Sequence, residues 1–372
     1  MSEGVFTVNA GSSSIKVALF DQGGDLSAPV FATQVDGIGV DGGALTHDEA
    51  LSEIVARVRS AAGAMKVTAV GHRIVHGGAR FDRPALIDDR IEAEIKALAP
   101  LAPLHQPHNL AGVRAARAAF PGMPQVACFD TAFHRTQPPV QQRFAIPQYW
   151  HDAGVRRYGF HGLSYESVIA QLAAIEPELA RGRVVVAHLG NGASMCAIHE
   201  GRSVATTMSF SPLDGLTMGT RCGRLDAAVV LHLIEHHRMD TATVSELLHK
   251  QSGLLGLSDL SSDMRTLLAS GAQAAQLAIE HFIESALREL AGLAAALRGL
   301  DALVFTGGIG ENAAVLRERI VEGAKWMDLR LDARANTAGE RRIDAEGSAV
   351  ALRVLRTNEE AVIARHTIEA TE

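Results

Sequence analysis

Val5-Phe6-Thr7-Val8-Asn9-Ala10-Gly11-Ser12-Ser13-Ser14-Ile15-Lys16-Val17-Ala18-Leu19-Phe20 sets two short apolar runs around a turn of small residues. Bounded runs of this length, rich in Val, Ile and Phe, read as strands, so the stretch predicts a strand, turn, strand unit. The same order returns as Val184-Val185-Val186-Ala187, His188-Leu189-Gly190-Asn191-Gly192-Ala193 and Ser194-Met195-Cys196-Ala197-Ile198. Both turns are crowded with Gly, Ser and Asn, which let backbone N–H groups and small hydroxyls face a ligand at close range, so two such loops suit the clasping of one phosphate chain. Their spacing of about 180 residues far exceeds the roughly 20–50-residue period of stacked repeats and points to a duplicated domain.

Helical spacing follows in Ile91–Leu98, Asn109–Ala116, Ala227–His237, Val244–Leu248 and Gln273–Leu300, interleaved with short strands at Val126–Phe129 and Leu303–Phe305. The class is α/β. Pro138, Pro139 and Pro147 mark a loop-rich passage, so the expected domains are 1–140 with 358–372, and 141–357, the helical pattern Asn358–His366 returning to the first. The chain has 372 residues, 47% hydrophobic and 21% charged, an ordinary globular composition. With 35 basic against 42 acidic residues it lacks the footprint of a nucleic-acid or polybasic membrane partner. Three widely spaced cysteines and no signal-like start suggest a cytoplasmic enzyme. The apolar pattern near 282–300 is interrupted by Glu284, Arg288, Glu289 and Arg298 and reads as a packed helix.

Three segments bring candidate chemistry. Thr306-Gly307-Gly308-Ile309-Gly310-Glu311-Asn312 follows a buried strand and precedes the helical pattern Ala313–Met327, which suits a nucleotide, although such glycine turns are as often structural. In Gly71-His72-Arg73-Ile74-Val75-His76-Gly77-Gly78, strand alternation puts Arg73 and Val75 on one face and both histidines on the other. Arg73 is either a fork for a carboxylate or phosphate or a solvated surface residue. Asp130, just past a buried strand, is a site candidate with a turn or helix cap as the alternative. A zinc site at His72 with His76, or His105 with His108, lacks a third ligand at a usual spacing.

Read in order, Asn9–Lys16, Gly71–Gly78, Phe129-Asp130-Thr131-Ala132-Phe133-His134, Arg157–Gly162, His188–Ser194, Pro212–Arg221, Phe305–Asn312 and Thr357–Glu360 resemble the acetate kinase family along nearly the whole chain. The resemblance implies two duplicated actin-like, ribonuclease H-like domains with ATP and substrate in the cleft between them, and a homodimer through the second domain. It implies catalytic roles for Asp130, Arg73, Arg221 and His161, the last two stabilising the transition state. ATP contacts are implied at Lys16, His188, Gly190, Asn191, Gly192, Asp263, Arg265, Gly307, Gly308, Gly310 and Asn312, and a magnesium site, open to manganese, at Asn9 and Glu359. His105 matches a supporting position, and Val75, Leu104, Phe160 and Pro212 would surround the methyl group of acetate.

A short carboxylic acid is already ionised at neutral pH, its pKa lying near 4, so no general base is needed. Arg73 and Arg221 would instead neutralise the repulsion between carboxylate and γ-phosphate during in-line transfer. Asp130 and Glu359 would serve Mg²⁺, and His161 would donate to the phosphoryl oxygens. A propionate or butyrate kinase and a non-catalytic actin-like nucleotide-binding module are the alternatives. Ala205, Ser209, Arg224 and Tyr165 depart from the family pattern beside these residues.

Overall fold

The computed structural model describes residues 2–10, 14–36, 54, 57, 65–103 and 105–372, so Gly11–Ser13 of the first turn and Leu104 lie outside the described residues. The chain divides into two compact units: Met1–Arg135 with Phe160–Ser167 and Asn358–Glu372, and Thr136–Gly159 with Val168–Thr357. Phe160–Ser167, inside the stretch expected to form one run of the second domain, thus belong to the first unit.

In the first unit, β1 (Glu3–Ala10), β2 (Ser14–Asp21), β3 (Phe31–Asp36), β4 (Lys66–Ile74), β5 (Ala85–Leu86) and β6 (Gln125–Phe129) form one sheet in the order β3-β2-β1-β4-β6-β5. The expected hairpin is there: β1 and β2 are antiparallel, with Asn9 opposite Lys16. β1, β4 and β6 run parallel. Alternation sorts their side chains. Phe6, Val8, Val70 and Ala116 of the helix Gln106–Ala119 share one core. Val5 meets Ala364 on the other face, and Val126 and Cys128 meet Val362 and Ile363, all from the C-terminal helix Glu359–Thr371. Gly71 lies on that second face, where the helix comes so close that a Cβ would stand 2.1 Å from Thr367 Oγ1. Asn9, Arg73 and Asp130 continue the same parity at the ends of the three parallel strands. The sheet alone therefore delivers them to one side.

The C-terminal helix is fastened at its start and at its middle. Asn358 caps it by accepting from Ala361 N, and its own N–H donates to Ser167 Oγ. Arg365 and His366 bond Glu166 on the helix Gly162–Ile175.

In the second unit, β7 (Val184–Leu189), β8 (Ala193–His199), β9 (Arg202–Thr206), β10 (Ala302–Thr306) and β11 (Ala351–Val354) take the order β11-β10-β7-β8-β9. β7 to β9 are antiparallel neighbours, while β7, β10 and β11 are parallel. The pattern β3-β2-β1-β4-β6 is thus repeated as β9-β8-β7-β10-β11, the duplication expected from the two hairpins. The helix Gln273–Leu297 packs a buried stripe against β8. It ends three residues before the predicted Leu300, where Arg298 turns to φ 59° and Gly299 follows at φ 139°. The glycine turn is itself a short helix, Gly307–Asn312; Ala313 breaks from helical geometry before the helix Ala314–Gly323 begins.

Replacing Gly71 by Val forces a branched side chain between β4 and the C-terminal helix. The expected loss is about 1–3 kcal/mol, read as a lower urea midpoint; an unchanged midpoint would contradict the close approach.

Candidate active site

The first unit gathers Asn9, Arg73, Asp130 and Glu359 into one hydrogen-bonded cluster. Arg73 Nε donates to both Asp130 oxygens at 3.0 and 3.1 Å, and Nη2 donates to Oδ2 at 2.6 Å. Nη1 donates to Asn9 Oδ1 at 3.1 Å, and Asn9 Nδ2 donates to Glu359 Oε2 at 3.3 Å. Glu359 Oε2 also stands 3.8 Å from Arg73 Nε. Asp130 is 1% exposed, whereas the Arg73 side chain keeps 20% of its surface open. Of the five N–H donors of a guanidinium, these bonds engage three, leaving one on each of Nη1 and Nη2. Arg73 is therefore neither a simple surface charge nor a wholly consumed ion pair.

Charge follows geometry. Burial works against the Arg73 cation, but Asp130 and Glu359 outweigh it and raise its pKa above the ordinary arginine value. Burial raises the Asp130 carboxyl, with Glu359 adding to the rise and Arg73 opposing it. Without Arg73, Asp130 would be a buried carboxylate beside another.

His161 reaches this cluster through the backbone. It has φ 59° in the left-handed region, a strained conformation for a residue with a side chain. Gly162 N donates to Asp130 O at 3.0 Å, and a Cβ on Gly162 would stand 2.1 Å from that oxygen. On the other side, His134 Nε2 bonds Phe160 O at 2.9 Å. Burial drives the His134 pKa down to about 4, so its ring is neutral and can donate this bond throughout the neutral range. Residues 130 and 134 thus grip the chain immediately before and after His161.

Val75 lies past the end of β4, so strand alternation, the basis for placing it with Arg73, no longer governs it. Its N–H donates to Asn109 Oδ1, while Asn109 Nδ2 donates to Ala10 O, joining this loop to the first hairpin. Gly77 N donates to Thr131 Oγ1, and Gln106 Nε2 to His76 O. Val75 and Phe160 are both buried, and Phe160 lies edge-on to His76. Sequence reasoning missed Asn109, Gln106, Thr131 and His134 as supports. The legible signal for the first two was a polar residue on the buried face of an otherwise apolar helix. His72 and His76 are pushed down to about 4 by burial, and His72 bonds Gln125, which fits structural imidazoles.

The second unit holds a cavity of about 860 Å³ lined by Gly190, Asn191, Asp263, Arg265, Gly308 and Asn312, with Ser262, Met264, Leu268, Ile309 and Ala313. Eight expected ATP positions are in or next to it: these six, Gly307, which begins the short helix, and Gly192, which follows Asn191 in the turn between β7 and β8. Asp263 caps the helix Met264–Leu268 and holds Arg265 with a 2.7 Å contact. Gly310 faces the backbone of β7 and β10 instead of the cavity. His188 pairs with Thr306 across β7 and β10. The Arg221 loop is docked on the same hairpin: Gly219 N donates to Asn191 O, and a Cβ there would stand 1.8 Å from Asn191 Oδ1. Arg221 Nη1 donates to Pro212 O at 2.9 Å. Lys16, on β2, belongs to the first unit. Leu104 lies outside the described residues.

The departures have local partners. Ser209 Oγ donates to Asp214 Oδ2 at 2.6 Å, Arg224 pairs with Glu289 at 3.3 Å, Ala205 is buried in β9, and buried Tyr165 lies edge-on to His134. Among the described residues, no three His, Cys, Asp or Glu side chains form a metal cage. Magnesium needs none, since it retains waters and binds substrate phosphates through one or two carboxylates. Asp130 and Glu359, with Asn9 beside them, offer hard oxygen donors and more negative charge than Arg73 cancels, and so fit such an ion.

The model of the acetokinase family matches residues 4–365. An acetate kinase of Methylocella silvestris is 49% identical over 99% of this chain and 98% of its own length, and one of Rhodopseudomonas palustris is 47% identical over 98% of each. A solved propionate kinase of Francisella tularensis superposes with a TM-score of 0.91 at 35% identity, covering 99% of this chain and all of its own. The Porphyromonas gingivalis acetate kinase gives 0.88 at 34%, covering both chains fully.

Arg73→Met should expose the burial of Asp130. A carboxyl whose folded pKa is raised binds a proton more readily folded than unfolded, so its contribution falls as pH climbs through the carboxyl range. The stability deficit of Arg73→Met relative to wild type should widen as pH rises from about 4 to 7, measured by urea unfolding; a constant deficit would contradict it.

Proposed function

This chain belongs to the acetokinase family and is a kinase acting on acetate, and on that premise we propose how its residues carry the transfer. The bond between the γ-phosphorus and its bridging oxygen to ADP breaks as a carboxylate oxygen of acetate bonds the same phosphorus, giving acetyl phosphate and ADP. The acceptor arrives ionised, so no proton is removed from it. The observation that carries this reading is Arg73: fixed by Asp130 and Asn9, it retains an N–H on each terminal nitrogen for an anionic oxygen. Arg221 supplies the second cation, and His161 donates to the phosphoryl oxygens from its strained, twice-anchored position. Asp130, Glu359 and Asn9 would hold magnesium, or manganese in its place, whose charge offsets that of the phosphates. The cavity beside Asn191 and Gly308 takes ATP, with His188, Asp263 and Arg265 around it.

Val75 and Phe160, both buried, support a small apolar pocket for the methyl group. One added methylene in a fitted pocket changes discrimination by about 1–3 kcal/mol, so propionate should be a slower substrate. A cytoplasmic setting is supported by three free thiols, two of them buried. No helix among the described residues is long and apolar enough to cross a membrane.

We also propose a homodimer through the second unit. The helix Ala227–Glu235 has an apolar sequence yet no buried residue, and Leu231 is 57% exposed. Sedimentation should show a dimer that Leu231→Glu weakens; a monomer at every concentration would contradict it.

A hydroxamate assay of acyl phosphate with ATP and magnesium tests the reaction. Acetate should give the fastest product formation, propionate slower and butyrate slowest. Arg221→Ala should lower kcat by about 10²–10³, the usual effect of removing one transition-state donor. No product from any acid, or near-normal turnover in Arg221→Ala, would overturn the reading.

A further inference from the structure

Arg317 lies on the helix Ala314–Gly323 and is 1% exposed, among the largest fully buried side chains. Its guanidinium donates to neutral acceptors: Nε to Asn336 Oδ1 at 2.8 Å, Nη2 to Asn336 O at 2.9 Å, and Nη1 to Gly310 O and Glu311 O at 2.9 Å each. A buried cation without a carboxylate is expensive in free energy, so stability alone is a poor reason for an arginine here. Burial accordingly lowers its pKa. Asn336, also 1% exposed, is fixed in turn: its Nδ2 donates to Ala314 O, its N–H donates to Asp332 O, and Asp332 caps its helix.

The two carbonyls held by Nη1 belong to the last turn of the short helix Gly307–Asn312, where carbonyls lack intrahelical partners and a cation complements the dipole. The other end is pinned as well. Gly307 has φ 79°, a Cβ there would stand 2.7 Å from Leu189 O, and its N–H donates to Glu311 Oε1 at 3.0 Å. Six residues do not hold a helix unaided. Glu311 links the two ends, its carboxylate receiving Gly307 and its carbonyl receiving Arg317. From the segment held by these pins, Gly308, Ile309 and Asn312 line the cavity.

We propose that Arg317 and Asn336 form a positioning clamp that holds the Gly307–Asn312 wall in the shape that accepts the nucleotide, an inference that rests on reading this cavity as the ATP site. Arg317 touches no substrate in this role; it acts through the carbonyls of Gly310 and Glu311. A lysine keeps the charge but loses the fork that reaches both Asn336 and the two carbonyls.

The test is steady-state kinetics of wild type, Arg317→Lys and Asn336→Ala, with calorimetric binding of ADP to each. Loss of hydrogen bonds from a charged group should raise KM for ATP and Kd for ADP by about tenfold in Arg317→Lys. The rise should be about threefold in Asn336→Ala, which removes the Oδ1 acceptor of Arg317 Nε and the Nδ2 donor to Ala314 O but keeps the backbone carbonyl that accepts from Nη2. KM for acetate should stay within about twofold, since its residues lie elsewhere. Unchanged KM and Kd for nucleotide in folded variants would overturn the clamp, as would equal rises in both KM values. Should Arg317→Lys fail to fold, Asn336→Ala decides. If wild type forms no acyl phosphate, the kinase reading fails, while the ADP titrations still test the clamp.

Discussion

The guanidinium of Arg73 is the interaction on which the site in the first unit depends. Asp130 is buried at the end of β6, close to Glu359, and two carboxylates in that setting are tolerable only with a cation between them. Asn9 completes the arrangement by accepting from Arg73 and donating to Glu359. Each partner comes from a different element: β1, β4, the turn after β6 and the first turn of the C-terminal helix. Folding this unit and assembling its charges are therefore one event. The bound geometry still leaves Arg73 two N–H groups, which separates a site from a mere structural ion pair.

Duplication supplies the scaffold and divergence supplies the chemistry. Five strands take the same order in both sheets, and each sheet carries an antiparallel hairpin at the matching place. In the first unit, β1 and β4 carry Asn9 and Arg73 one residue before their ends, polar side chains that gather charge. Their counterparts β7 and β10 end in Leu189 and Thr306, followed by Gly190 and Gly307, beside the cavity. One half gathers charged and polar side chains; the other presents a cavity wall rich in glycine.

The sequence made the hairpins, the α/β class and the duplication legible because bounded apolar runs and glycine turns are local signals. β3, β9 and the four-residue β11 went unread: they are short, and their pairing is set by neighbours distant in the chain. Parity correctly separated Arg73 from His72, but it does not extend to Val75, because the strand stops at Ile74 and Asn109 takes over the backbone. The return of Phe160–Ser167 to the first unit follows from Gly162 pressing on Asp130, a contact between residues 32 apart that no pattern announces. Arg317 falls within a helical pattern that does not single it out; only the fold shows it buried against an asparagine.

The central claim, that Arg73 and Asp130 act as one unit, is tested most directly by a double-mutant cycle in unfolding free energy for Arg73→Met, Asp130→Asn and the pair. The account predicts strong coupling, about 1–3 kcal/mol, with the double variant losing far less than the sum of the single losses. Additive losses would contradict it.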